Sequence, residues 1–177
     1  MAESLAAGAT RGADVRDKTL ELVRSDAIRP EHRPALLRRF LGGKAEPELL
    51  AMLAGDFSPK TIRSVIIEVQ NLGKAEHMAA VLARCEEQGW LGDARRMPWL
   101  SGRLLDEHIK TATKGELVRA VAAVKARPAL AKLTAKAVKQ RLADQDPDVR
   151  ELLAQVKLEE DPVAPEAPGS AEPAVQP

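Results

Sequence analysis

Apolar residues recur along this chain at the three- and four-residue spacings that are typical of amphipathic α-helices. The clearest case follows Ser58 and Pro59, where four apolar residues stand at i, i+3, i+4 and i+7: Ile62, Val65, Ile66 and Val69. Ser58 is a favourable N-cap, and Pro59 suits the first helical position, where a backbone N–H has no intrahelical acceptor. Nearly every segment before residue 158 follows this pattern and breaks at Gly or Pro. The sequence therefore predicts an all-α protein.

The pattern predicts nine helices separated by short breaks. The first covers residues 13–25, the third 47–54 and the fifth 75–88, and residues 90–98 form a loop after the fifth. In the second helix we place four apolar residues in the core: Leu36, Leu37, Phe40 and Leu41. In the eighth helix the predicted core residues are Leu130, Leu133, Ala137 and Val138. Closely packed helices of this kind need few aromatic residues, which agrees with an aromatic content of 2%.

The four-residue string GKAE occurs twice, at Gly43 and at Gly73, thirty residues apart, and each copy precedes an apolar helical run. Repetition at a period of about 20–50 residues is typical of stacked supersecondary units. Gly73 and Gly89 flank the second helix of such a unit. We expect both to adopt left-handed backbone, which Gly does at little steric cost. The predicted architecture is a stack of antiparallel helical hairpins over residues 13–157.

The two ends of the chain lie outside this predicted helical domain. Residues 158–177 are mostly Pro, Ala and Glu. Such a composition cannot bury enough apolar surface to offset the entropy of ordering the chain. We therefore predict a disordered acidic tail over these residues, and a flexible N-terminus over residues 1–12.

Residues 60–93, KTIRSVIIEVQNLGKAEHMAAVLARCEEQGWLGD, resemble a single pentatricopeptide repeat, which is a unit of two helices. Gly73 falls at the turn between the two helices, and Gly89 falls at the turn after the second. The resemblance implies that bases of single-stranded RNA are read by Arg63 and Asp93. Asp93 matches the family pattern, whereas Arg63 stands where the family usually has a small polar residue. Tetratricopeptide and HEAT-like arrays show a similar pattern, so the stack of hairpins is the more general expectation.

Positive charge is concentrated in the middle of the chain. Residues 95–145 hold 12 Lys/Arg and 4 Asp/Glu, a net charge of +8, whereas residues 146–177 hold 2 and 8. A segment this basic attracts polyanions. Three lysines of the predicted eighth helix fall within an arc of about 60° opposite its apolar residues: Lys132, Lys136 and Lys139. The sequence thus predicts a phosphate-binding surface over residues 95–141, with an ordinary solvated helix face as the alternative.

Two arginines and two tryptophans lie in or beside the predicted loop at 90–98. Arg95 and Arg96 lie within the loop, and with Lys125 they complete the predicted RNA-binding surface. Trp90 and Trp99 flank the basic part of the loop. We assign them as candidate partner-binding residues, which would stack on bases or anchor a partner protein. The alternative is that the two rings pack the junction between hairpins.

The stretch SPKTIRSVI at residues 58–66 allows a different function. It follows the short turn AGDF, as the recognition helix of a helix-turn-helix protein follows its turn. In that interpretation Lys60 and Arg63 would contact DNA.

The sequence contains little that would support catalysis or hold a metal ion or cofactor. His32, His77 and His108 lie in separate segments, and no two of them have metal-ligand spacing. Cys85 stands at an apolar helix position, so we expect a buried thiol rather than a nucleophile. We therefore predict a non-catalytic protein without a cofactor.

Association with RNA is the function that this sequence favours most. The alternative is a protein-interaction scaffold, or a structural subunit of a larger assembly, with grooves between hairpins that receive a partner helix. No apolar run approaches the roughly 20 residues that cross a bilayer, so we predict no membrane partner. The single cysteine rules out an internal disulfide, which favours an intracellular setting. The oligomeric state is left open.

Overall fold

The computed structural model describes residues 17–18, 20–23, 25, 27–144 and 146–156. Within these ranges the chain forms eight α-helices and no strand, so the predicted all-α class is confirmed. Residues 17–18 and 20–23 are also helical and lie inside the first predicted helix. The predicted flexible N-terminus (1–12) and acidic tail (158–177) lie outside the described residues.

The eight helices are α1 (Arg33–Leu41), α2 (Glu46–Ala54), α3 (Pro59–Asn71), α4 (Met78–Glu87), α5 (Gly102–Thr111), α6 (Lys114–Ala126), α7 (Pro128–Arg141) and α8 (Pro147–Ala154). Three short 3-10 helices precede or join them, at Pro30–His32, Gly42–Ala45 and Ala75–His77. The predicted fifth helix therefore begins with a 3-10 turn at Ala75 and becomes α-helical at Met78.

Local sequence signals set the ends of these helices. The backbone N–H of Thr61 donates to the Ser58 hydroxyl at 3.3 Å, so Ser58 is the N-cap of α3. At the start of α6, the Thr113 N–H donates to the Glu116 carboxylate at 2.7 Å, which completes a capping box. This N–H holds the pKa of Glu116 below its ordinary value. The predicted left-handed glycines are confirmed, with φ of +78° at Gly73 and +65° at Gly89.

Helices two apart along the chain pack against each other, which makes the fold a stack of hairpins. In the first half α1 packs on α3 and α2 on α4, and in the second half α5 packs on α7 and α6 on α8. Polar contacts between hairpins accordingly join residues 27 to 34 positions apart: Glu31 with Lys60, Arg38 with Asn71, Gly55 with Arg84, Gln70 with Ser101, Leu100 with Arg127, Asp106 with Ala137, Ile109 with Arg141 and Lys114 with Asp148. The predicted period of thirty residues is therefore present in the packing.

The segment between α4 and α5 joins the two halves without forming a helix. Four of its side chains are buried: Trp90, Leu91, Met97 and Leu100. The rings of Trp90 and Trp99 meet edge to face, with centroids 6.0 Å apart. Arg127, at the start of α7, donates to the Met97 and Leu100 carbonyls at 3.3 and 3.2 Å. The predicted loop is confirmed, and it fills the joint as part of the core.

Two residues that we predicted to be buried are exposed instead. Phe40 is 57% exposed, because α1 buries the stripe of Pro34, Leu37 and Leu41 and Phe40 lies about 100° from Leu41. Leu133 is 58% exposed because α7 buries a different set: Leu130, Thr134, Ala137 and Val138. The buried Thr134 hydroxyl donates to the Leu130 carbonyl at 2.8 Å, which allows a polar residue at a core position.

Candidate functional site

Three lysines form a stripe along the solvent side of α7, which we call the lysine stripe (Lys132, Lys136 and Lys139). All three side chains are exposed, and the buried residues of α7 lie on the opposite side of the helix. At a rise of 1.5 Å per residue, the stripe extends about 10.5 Å along the helix axis. Its predicted position on the helix is therefore confirmed.

The helix that carries the lysine stripe is held firmly against α5. Arg141 Nη1 donates to the carbonyls of Ile109, Lys110 and Ala112, at 3.1 Å each, and so satisfies the C-terminal end of α5. A carboxylate oxygen of Asp106 accepts a backbone N–H of α7 at 3.1 Å. These contacts fix the orientation of α7 and therefore the side of the helix from which the three lysines extend.

Positive charge is concentrated in the first helices of the hairpins. The first helices of the four hairpins, α1, α3, α5 and α7, hold 11 Lys/Arg and 3 Asp/Glu, whereas the second helices hold 5 and 7. The α7 helix alone has four Lys/Arg and no acidic residue. Because like charges reinforce a local potential, α7 is the strongest basic element of the stack.

Many basic residues of the predicted 95–141 surface are engaged within the protein. Arg119 pairs with Glu86 at 2.6 Å, Lys110 pairs with Asp106 at 3.1 Å, and Lys114 pairs with Asp148. Arg127 and Arg141 are used on backbone carbonyls, as described above. By contrast, the side chains of Arg95, Arg103 and Lys136 have no hydrogen bond or ion pair with the residues that the structure describes. Within this surface, the lysine stripe is the group of cations that share one exposed side of a single helix.

The remaining predicted RNA-binding residues are not part of the lysine stripe. Lys125 lies on α6, where its ammonium donates to the Gln155 side chain at 3.3 Å. Arg63 is exposed on α3, in a different hairpin. Asp93 accepts the backbone N–H of Arg95 at 2.9 Å and pairs with Arg96 at 3.2 Å, so its carboxylate is used within its own loop. The structure thus brings the three lysines of α7 together in one stripe, and it brings Asp93, Arg95 and Arg96 together in a separate loop.

The two tryptophans have the packing role that the sequence offered as an alternative. Trp90 is 8% exposed, and Trp99 is half-buried against it. The buried Trp90 ring is not accessible to an RNA base or a partner protein in this structure. Its assignment as a partner-binding residue is therefore corrected, since the ring contributes to the joint between the two halves.

The helix-turn-helix interpretation requires a recognition helix with a freely accessible face. The α3 helix instead lies within the stack and packs on α1, α2 and α4. Lys60, one of the two residues expected to contact DNA, pairs with Glu31 at 3.1 Å. This leaves Arg63 as the unengaged cation of that helix face among the described residues.

A polar cluster that sequence reasoning missed connects the two GKAE turns. Glu46 accepts from Lys74 Nζ at 2.6 and 2.8 Å and lies 2.9 Å from His77 Nε2. With Glu76, these carboxylate and imidazole atoms come within 4.8 Å of one another, as metal ligands do. Lys74, however, already supplies a cation, and its hydrogen bond holds the pKa of Glu46 below the ordinary value. The cluster joins the two hairpins, and the repeated GKAE string is the sequence signal from which it could have been predicted.

Two titratable groups in the core lack the surroundings of catalytic residues. Burial raises the pKa of the Cys85 thiol to about 12, so the reactive thiolate is strongly disfavoured. His108 is 5% exposed, and its Nε2 has no hydrogen-bond partner among the described residues. Burial lowers the pKa of His108, although the nearby Glu116 carboxylate opposes this shift. Both side chains contribute to the core.

The buried His108 leads us to expect a protein that is less stable in mild acid. Because its pKa is lower in the folded state than in the unfolded state, the unfolded chain binds the proton first. The free energy of unfolding should therefore fall as pH decreases from the unfolded value of about 6.5. Urea unfolding of His108→Leu, measured from pH 8 to pH 5, should show a weaker pH dependence than the wild type. The control is His32→Leu at an exposed position, and equal slopes for all three proteins would contradict the expectation.

These observations define the protein as a stack of helical hairpins with a lysine-bearing helix at its surface. No family model, curated protein or solved structure matches this chain. The resemblance of residues 60–93 to a pentatricopeptide repeat therefore stays a prediction. Among the described residues, every helix is too short or too polar to cross a membrane.

Proposed function

We propose that this protein associates with RNA, without catalysing a reaction, through the lysine stripe of α7. The observation that supports the proposal most strongly is the stripe itself, with three exposed lysines on one side of a helix that has no acidic residue. Nucleotides of a stacked strand repeat at about 3.4 Å, so the stripe is as long as about three nucleotide steps. Ammonium groups at this spacing match a row of phosphates.

The proposed contact is with the backbone of the RNA rather than with its bases. Base reading needs exposed aromatic rings or side chains that reach base edges, whereas Trp90 is buried and the Asp93 carboxylate is engaged in its loop. Lysine acts as a point charge and does not distinguish bases. We therefore expect weak sequence preference and a strong dependence on salt, because each neutralised phosphate releases counterions.

The charge reversal Lys132→Glu, Lys136→Glu and Lys139→Glu tests this proposal. Fluorescence anisotropy with a labelled single-stranded RNA in about 50 mM salt should show binding that the triple variant weakens at least about tenfold. The matched control reverses three exposed cations elsewhere, Arg39, Lys44 and Arg150, which gives the same net charge. Equal weakening by both variants would indicate only a general charge effect. Absence of binding by the wild type would remove the proposal.

A protein partner is the second candidate, and one groove favours it. A cavity of about 250 Å³ lies between residues 20–23 and helices α1 and α2, with a mainly apolar lining: Leu20, Val23, Leu37, Ala51, Met52 and Phe57. An apolar side chain of a partner helix would fit such a groove. Affinity purification with and without nuclease separates the two functions, because a complex that depends on RNA is lost after nuclease treatment and a direct protein complex is retained.

A further inference from the structure

We propose that the acidic residues 157–177 of this same chain bind the lysine stripe when RNA is absent and compete with RNA for it. The competition rests on the proposed RNA function, whereas the intramolecular contact does not. Residues 157–177 contain five Asp/Glu and one Lys, and three of the acids are consecutive, at Glu159, Glu160 and Asp161. The segment and the stripe are therefore opposite in charge.

The structure places the residues that precede this segment beside the helix that carries the stripe. The α8 helix packs on both α6 and α7, and Val156 is buried at its end. Gln155 accepts from Lys125 Nζ at 3.3 Å, and Lys125 lies only three residues before the start of α7. Four extended residues span about 13 Å, so the acidic cluster at 159–161 begins within reach of the first turns of α7.

The length of the segment is sufficient to cover the whole stripe. Its 21 residues span up to about 70 Å when extended, whereas the stripe extends about 10.5 Å along its helix. A ligand tethered this closely has an effective concentration in the millimolar range, so even a weak contact is populated. No acidic residue of α7 would repel the incoming carboxylates, because α7 contains none.

The competition should be weak and should depend strongly on salt. Ion pairs between exposed side chains contribute little individually and are screened as ionic strength rises. RNA carries one phosphate per nucleotide and displaces the segment by its higher charge density. The segment therefore raises the RNA concentration that is needed for binding, and it disfavours polyanions of low charge.

Zero-length cross-linking of the full chain tests the intramolecular contact without RNA. A carbodiimide joins a lysine to a carboxylate in direct contact, and peptide mass spectrometry identifies the pair. At low salt we expect links from Lys132, Lys136 or Lys139 to the carboxylates at 159–161, and their loss in 1 M salt. Links that are absent, or that are as frequent at the exposed Lys44, would overturn the proposal.

The full-length variant Glu159→Gln, Glu160→Gln and Asp161→Asn tests the competition. Its Kd for single-stranded RNA should be about three- to tenfold lower than that of the wild type at low salt, and the difference should disappear in the Lys132→Glu, Lys136→Glu and Lys139→Glu background. The control neutralises three exposed acids elsewhere: Asp56, Glu76 and Glu151. An equal gain in the control, or no gain in the variant, would contradict the competition while leaving the RNA function intact. Cross-links without any RNA binding would support the intramolecular contact and contradict the RNA function.

Discussion

The substitution Gly102→Ala is expected to lower the free energy of unfolding by about 1–3 kcal/mol, as overpacking of a helix interface does. A Cβ atom at Gly102 would lie 2.4 Å from Leu133 Cδ1 and 2.8 Å from Leu133 Cβ. The second of these atoms cannot move away by a rotamer change, so α5 and α7 would have to separate. Urea denaturation followed by circular dichroism measures the loss.

A second substitution should identify the cause of this loss. Because Leu133 is 58% exposed, Leu133→Ala alone should cost little. In combination with Gly102→Ala it removes the contact with Cδ1 but keeps the contact with Cβ, so it should recover only part of the stability. Gly115→Ala is the matched control, since a Cβ there meets nothing within 4 Å. That control should stabilise α6 by up to about 1 kcal/mol. If Gly102→Ala leaves the free energy of unfolding unchanged, or if the added Leu133→Ala restores none of the loss, the close contact between the two helices does not limit stability.

Local signals in the sequence were sufficient to predict the helices and their turns. The N-cap at Ser58 and the turn glycines Gly73 and Gly89 act through their own backbone neighbours, so they can be read without knowing the fold. The lysine stripe was predictable for the same reason, because the spacing within one helix fixes which side chains share a face. The repeated GKAE string also predicted the period at which the hairpins stack.

Contacts between hairpins could not be predicted in this way. The net charge of residues 95–145 overstates the available cations, because partners such as Glu86 for Arg119 come from a neighbouring hairpin about thirty residues away. Leu133 was misassigned because the buried side of α7 is set by its packing against α5, where Thr134 is buried and Leu133 is not. Nothing within α7 reveals this neighbour. The sequence therefore predicted the elements of the candidate site more reliably than their surroundings.

Replacement of Arg141 by Met is expected to cost about 2–3 kcal/mol of stability, which is the usual range for losing hydrogen bonds from a charged donor to buried acceptors. The Arg141 side chain is 16% exposed and serves three carbonyls at the end of α5, besides its ion pair with Asp144. Without it, these acceptors lose their partner, and the negative end of the α5 dipole loses a nearby cation. Urea denaturation measures the loss of stability, and faster hydrogen exchange of the α5 amides would localise it.

Two further variants separate the geometry of Arg141 from its charge. Arg141→Lys keeps the charge, but a single ammonium group on a shorter side chain cannot reproduce the planar fork, so most of the loss should remain. Lys136→Met removes a positive charge from the exposed side of the same helix and should leave the unfolding midpoint unchanged. Because Arg141 anchors the helix that carries the lysine stripe, Arg141→Met should also weaken RNA binding without altering the stripe. Full stability and full RNA binding in Arg141→Met would show that α7 is held by its apolar face alone.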